Sequence, residues 1–86
     1  MFKIRFTPRF ARQAKNLDED LFQEVLEKVE LLKERKNHQL LKVHKLHGVL
    51  SAFHSFSVNY KTRIVFEFSG PDEIWCHYVG DHGIYK

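Results

Sequence analysis

The stretch TRIVFEFSGPDEIWCHYV, residues 62–79, decides the fold class. Its first seven residues, TRIVFEF, are rich in β-branched and aromatic side chains and alternate with a period of two. Ile64, Phe66 and Phe68 fall on one side, and Arg63, Val65 and Glu67 on the other. SGPD, 69–72, gathers the residue types of a reverse turn. EIWCHYV, 73–79, then alternates again, with Ile74, Cys76 and Tyr78 on one face and Trp75, His77 and Val79 on the other. Two strands joined this tightly are antiparallel neighbours.

Working back toward the N-terminus, AFHSFSV, 52–58, reads as a third strand of the same meander, with NYK, 59–61, as the turn. Its alternation is imperfect, because Phe53 and Phe56 differ in parity. Residues 37–51 form a basic connector in which His38, Lys42, His44, Lys45 and His47 are interleaved with Leu40, Leu41, Val43 and Leu46, and Gly48 marks a turn. Leu40, Val43 and Leu46 are too apolar for a wholly loose loop, so part of it packs. Before it, NLDEDLFQEVLEKVELLKERKN, 16–37, repeats apolar residues with a 3.6-residue period at Leu17, Leu21, Val25, Val29 and Leu32, widened by Phe22 and Leu26. That is an amphipathic helix. Asn16 or Asp18 caps it, Asp18, Glu19 and Asp20 suit its positive end, and Lys33, Arg35 and Lys36 its negative end. Most of its seven acids form a solvated face. A shorter helix over residues 8–15 precedes it, with Thr7 as N-cap, Pro8 at the first helical position, and Phe10 and Ala14 facing the core. FKIRF, 2–6, alternates apolar and basic and supplies a half-buried first strand. The chain therefore reads as one α+β domain over residues 1–86. A small antiparallel sheet of about four strands packs against an N-terminal helical hairpin, in the order β-α-α-β-β-β.

Eighty-six residues suffice for one small core. With 43% apolar and 29% charged residues the chain is globular and not disordered. Its single cysteine, Cys76, rules out an intrachain disulfide and a cysteine-rich zinc site, and points to an intracellular, cytoplasmic protein. The N-terminus is too basic and too broken for a signal peptide, and no apolar run is long enough to span a membrane. The formal net charge is +3. The cations are not spread evenly: residues 1–17 and 37–63 contain no acid, and these two blocks flank the acidic helix. Such segregation suits a polyanionic partner.

No glycine-rich phosphate loop, HExxH motif or hydrolase nucleophile elbow is present. His44 and His47, three apart, have no Cys or carboxylate within their segment to complete a metal set, so they read as solvated histidines, and no cofactor is expected. Phe10, Phe53 and Phe66 read as core. What remains is a dispersed set of Lys42, Lys45, His47, His54, Arg63, His82, Tyr85 and Lys86. RNA cleavage needs little more. A 2′-hydroxyl loses a proton and attacks the adjacent phosphorus, the developing charge is neutralised, and the 5′-oxygen gains a proton. Arginine forks onto phosphate, histidine exchanges protons near neutral pH, and no metal is required. On chemistry alone a ribonuclease is permitted but not demanded.

KLHG (45–48), RIVFEF (63–68) and VGDHGIY (79–85), in that order and following FKIRFTPRFARQAKNL, make the chain resemble the RelE/ParE superfamily of bacterial toxins over almost its whole length. The resemblance implies a small sheet against a helical hairpin. It also implies one of two activities: RelE-like members cut mRNA in the ribosomal A site, and ParE-like members poison DNA gyrase. Both are neutralised by a cognate antitoxin, and the complex often represses its own operon, so operator DNA would be met only through that complex. Arg63 matches the arginine expected on the scissile phosphate. His82 falls where a general acid or phosphate ligand is expected, and Tyr85 matches the aromatic that stacks on or orients the nucleotide. His54 takes a strand position held by lysine in lysine-rich members, as base or phosphate contact. Phe56, two residues on, departs from that pattern and leaves the general base unassigned. Lys42, Lys45, His47, Lys61 and Lys86 would contact ribosomal RNA or substrate. HGIY favours the ribonuclease branch. The alternatives are a gyrase poison and a weakened member acting only as an antitoxin and operator-complex partner.

Overall fold

The computed structural model describes residues 1–81. The elements run β1 (Lys3–Phe6), α1 (Pro8–Lys15), α2 (Glu19–Leu32), a 3-10 turn (Arg35–Asn37), β2 (His44–Lys45), a second 3-10 turn (Gly48–Leu50), β3 (His54–Ser57), β4 (Thr62–Ser69) and β5 (Glu73–Asp81). The five strands form one sheet in the order β1-β5-β4-β3-β2. β2, β3, β4 and β5 are antiparallel to their neighbours, as the tight turns require, whereas β1 runs parallel to β5. The sheet is therefore mixed and has one strand more than the sequence suggested. A parallel pairing needs a long crossover, and here α1, α2 and the β2–β4 meander provide it.

The helices begin where capping chemistry places them. Thr7 Oγ1 accepts the Phe10 amide at 3.1 Å, and Asp18 Oδ1 accepts that of Leu21 at 2.9 Å. α2 stops at Leu32, before its expected basic end. Its last carbonyls are taken by side chains that fold back: Asn37 Nδ2 donates to Leu31 O at 3.0 Å, and His38 Nε2 donates to Leu32 O at 2.7 Å. A carbonyl only accepts, so His38 carries its proton on Nε2.

One face of the sheet packs on the helices. Phe56, Ile64, Phe66, Ile74, Cys76 and Val79 meet Phe10, Ala14, Val25, Val29 and Leu32 in a single core. Two details differ from the alternation. Leu26 and Phe6 remain well exposed, Phe6 stacking on Phe10 with ring centroids 5.1 Å apart. In the connector Leu41 is buried, while Leu40 is 72% exposed.

The larger correction concerns β5. Cys76 pairs with Phe66, but Tyr78 pairs with Val65 and Val79 with Ile64. Two residues of β5, His77 and Tyr78, thus oppose one residue of β4, which is a β-bulge. The bulge shifts parity by one. Val79 turns into the core and Tyr78 out of it, the reverse of the strict alternation. Gln13 stabilises this local geometry. β1 covers the edge of β5 only as far as Cys76, and beyond that Gln13 Oε1 accepts the Val79 amide at 3.0 Å. Among the described residues no helix is long and apolar enough to cross a membrane.

Candidate functional site

β3 and β4 pair in regular register, His54 with Phe66 and Ser57 with Arg63. Directly opposed residues share a face. Phe66 lies in the core, so His54 points to the helix side, and Arg63, one residue from Ile64, points to the other. The structure therefore does not bring these two expected site residues together.

Arg63 is half-buried and stands between Ser57 on β3 and Gly80 on β5. Neither neighbour carries a side chain large enough to cover a guanidinium. The cleft it lines is completed by Lys28 and Leu31 of α2, by Leu40, Leu41, Lys42 and His44, and by Ser57 and Val58. Lys28, Lys42, Arg63 and His44 line it together with four apolar residues, and no carboxylate is among its lining residues. This is an arrangement for an anion, and a fork-shaped guanidinium suits a phosphate.

Lys42 and His44 are held by an uncommon backbone. Lys42 has φ of 60°, a left-handed conformation that costs a residue bearing a Cβ. The Lys42 carbonyl lies 3.1 Å from His44 Nδ1. Because the carbonyl accepts, Nδ1 carries the proton, and in the neutral ring Nε2 keeps a free lone pair. His44 is exposed on edge strand β2 and is one of the residues that line the cleft. An imidazole held through Nδ1 in this way can accept a proton from a hydroxyl at Nε2 whenever that nitrogen is unprotonated.

His54 has a different environment. Its ring stacks on Phe66 at 5.8 Å and meets Phe68 edge-on at 4.8 Å, and its Nδ1 is buried without a hydrogen-bond partner. Burial, followed by the charges of Lys45, His44 and His38, lowers its pKa below the ordinary value. The ring is held neutral against aromatic core. Lys45 sits on β2 opposite His54. His47 is exposed just before the Gly48 turn, and Lys61 is exposed in the β3–β4 turn, where Asn59 Oδ1 accepts its amide at 2.9 Å. Of the expected residues, then, Arg63 and Lys42 share a cleft. His82, Tyr85 and Lys86 lie outside the described residues.

His44 was set aside in the sequence as a solvated histidine. The signal that picks it out is the two-residue pairing of His44 and Lys45 with β3, which no periodicity can reveal. Among the described residues no three His, Cys, Asp or Glu side chains converge as a metal site. A second, apolar cleft lies between the helices and β1, lined by Phe6, Phe10, Leu17, Phe22, Val25 and Leu26. Arg12, Lys15 and Glu19 also line it, and no imidazole or phenol does.

No protein-family profile matches the chain, and no curated protein matches it in sequence. Solved structures do match. The YoeB/ParE toxin from Agrobacterium tumefaciens superposes with a TM-score of 0.80 at 16% identity, covering 94% of this chain and 99% of that one. The YoeB–YefM complex from Staphylococcus aureus gives 0.77 at 17% identity, covering 95% and 98%. The E. coli DinJ–YafQ toxin–antitoxin complex gives 0.75 at 13% identity, covering 99% and 98%. The superpositions span nearly the whole of each chain, and this chain has the fold of these toxins.

Proposed function

We propose that the protein is the toxin of a type II toxin–antitoxin pair, an endoribonuclease that cuts translated mRNA in the ribosomal A site without a metal. The observation that carries this reading is the cleft lined by Arg63, Lys42 and His44, whose imidazole is oriented by the Lys42 carbonyl. A phosphodiester seated on Arg63 presents its 2′-hydroxyl to a base, and His44 Nε2 takes that proton. The oxygen attacks phosphorus, Arg63 and Lys42 neutralise the added charge, and the 5′-oxygen leaves with a proton. His82 is the proposed proton donor and Tyr85 the proposed platform for the nucleotide. His82 follows Asp81, whose partner across the sheet is Thr62, beside Arg63. His54, whose ring leans on Phe66 and Phe68, is assigned no part in this step. Lys45, His47, Lys61 and Lys86 are proposed to contact ribosomal RNA.

The fold supports the toxin assignment, and the DinJ–YafQ and YoeB–YefM complexes support an antitoxin as partner. The name YoeB/ParE joins both branches of the superfamily, so likeness of fold does not choose between RNA and gyrase. The cationic cleft favours RNA. The test is primer extension on a defined mRNA in a purified translation reaction, with and without ribosomes. Wild type is expected to cut only with ribosomes. His44→Ala and His82→Ala should each lose about 10²–10⁴-fold, Arg63→Gln about 10²–10³-fold, and His54→Ala little. Absence of cuts by folded wild type overturns the nuclease reading and sends the question to a supercoiling assay with gyrase.

A further inference from the structure

We infer that the same face of the sheet carries a second nucleotide site, a cleft formed by Arg9 and Arg12 of α1, His77 and Tyr78 of β5, and the apolar pair Leu50 and Phe53. It rests on the ribonuclease reading only in that a strand lying on Arg63 would continue into it.

The bulge creates this cleft by turning His77 and Tyr78 outward side by side. Both rings are fixed. Arg9 Nη1 donates to the Tyr78 phenol oxygen at 2.6 Å, and its guanidinium carbon lies 4.9 Å from the Tyr78 ring centroid. His77 Nε2 donates to Glu67 Oε1 at 3.1 Å, and its ring meets Phe53 edge-on at 5.0 Å. Glu67 is thereby engaged. Among the described residues no carboxylate pairs with Arg9 or Arg12. Arg9 uses one of its five N–H donors on Tyr78, and both guanidinia are exposed.

Two exposed guanidinia that pair with no carboxylate among the described residues, beside an aromatic wall, fit a phosphate with its base attached. An acidic peptide would satisfy the arginines and leave Phe53 and Leu50 idle, whereas a base has a face for them. The spacing agrees. Tyr78 lies two residues from Gly80, the partner of Arg63, or roughly 6.6 Å along β5. The proposed ligand is single-stranded RNA that crosses Arg63 and places a neighbouring nucleotide on Arg9 and Arg12.

The experiment measures binding of 5′-fluorescein decauridylate by fluorescence anisotropy across a salt series. It is done in an Arg63→Gln background so that cleavage plays no part. Arg12 makes no side-chain hydrogen bond or ion pair among the described residues, so Arg12→Gln is the clean variant, and Arg9→Lys keeps the second charge. Arg12→Gln should weaken binding about tenfold and lower the slope of log affinity against log salt by about 0.7, one single-strand phosphate contact. Phe53→Ala should weaken decauridylate binding but not that of an abasic decamer. Unchanged affinity in Arg12→Gln, lost affinity with an unchanged slope, or equal competition by a poly-glutamate peptide of the same charge would each overturn the site. None of these outcomes depends on whether Arg63 cleaves RNA, so the two readings fail separately.

Discussion

Gln13 is one α1 side chain on which the geometry of β5 depends, and removing its carbonyl is a direct test of the bulge. β1 pairs with β5 from Glu73 to Cys76 and then departs into α1, after the Thr7 amide has bonded the Cys76 carbonyl at 3.1 Å. The next inward amide on that edge, Val79, has Gln13 Oε1 as its acceptor at 3.0 Å. Gln13→Leu keeps the volume and removes the acceptor, leaving a part-buried N–H unpaired. Such an orphan costs about 1–3 kcal/mol. For a domain of this size each kcal/mol lowers Tm by about 4–8 °C. Gln13→Glu keeps an oxygen at the same reach and at neutral pH should lose less than about 0.5 kcal/mol. Urea unfolding of the three proteins followed by Trp75 fluorescence reads these differences, with m unchanged if the native state is intact. If Leu and Glu are equally destabilised, or Leu matches wild type within about 0.3 kcal/mol, the hydrogen bond does not secure the strand.

Lys42→Gly should be neutral or stabilising by up to about 1 kcal/mol, since relief of the left-handed backbone, about 1–2 kcal/mol, exceeds the entropy of glycine, about 0.5–1 kcal/mol; the same variant should cleave RNA more slowly, and a clear loss of stability would contradict the strain. His54 has a folded pKa below its ordinary 6.5, so its contribution to stability is complete above that value and is lost as pH falls through 6.5 toward the folded value. Urea midpoints at about pH 7.5 and about pH 5.5 should therefore drop more on acidification for wild type than for His54→Phe, and parallel drops would refute the burial argument. Cys76 is fully buried and its thiol is pushed up to about 12, so iodoacetamide should leave the native protein unmodified at about pH 8 and label one thiol after unfolding. Rapid native labelling would mean that the strand opens readily.

Much of this architecture is legible in the sequence because burial and periodicity coincide. Val25, Val29 and Leu32 recur at helical spacing and are buried, and Ile64 and Phe66 alternate and are buried. Thr7, Pro8 and Asp18 start their helices through local chemistry visible in one turn of chain. What escapes is what depends on a distant partner. The two residues of β2 form a strand only because β3 offers an edge to them. The parity of Val79 depends on the bulge opposite Val65, and the parallel direction of β1 on a neighbour seventy residues away. Arg63 could be chosen from its strand, whereas His44 needed the Lys42 carbonyl beside it.

The two histidines of the β2–β3 pair show how the sheet sorts one residue type into two chemistries. His54 and His44 lie on adjacent strands, in register with Lys45 and Ser55 respectively, so their Cα positions are close while their side chains leave opposite faces. His54 leans on Phe66 and Phe68, where desolvation penalises its charged form and no water reaches Nδ1. A base in that position has nowhere to send a proton. His44 is anchored through Nδ1 to a backbone carbonyl and lines the cleft together with Arg63 and Lys42. The carbonyl that holds Nδ1 belongs to Lys42, the residue that also lines the cleft and adopts a positive φ. A solvated edge strand would be a poor place to bury a core histidine and a suitable one to hold a base against a polymer that arrives from solution.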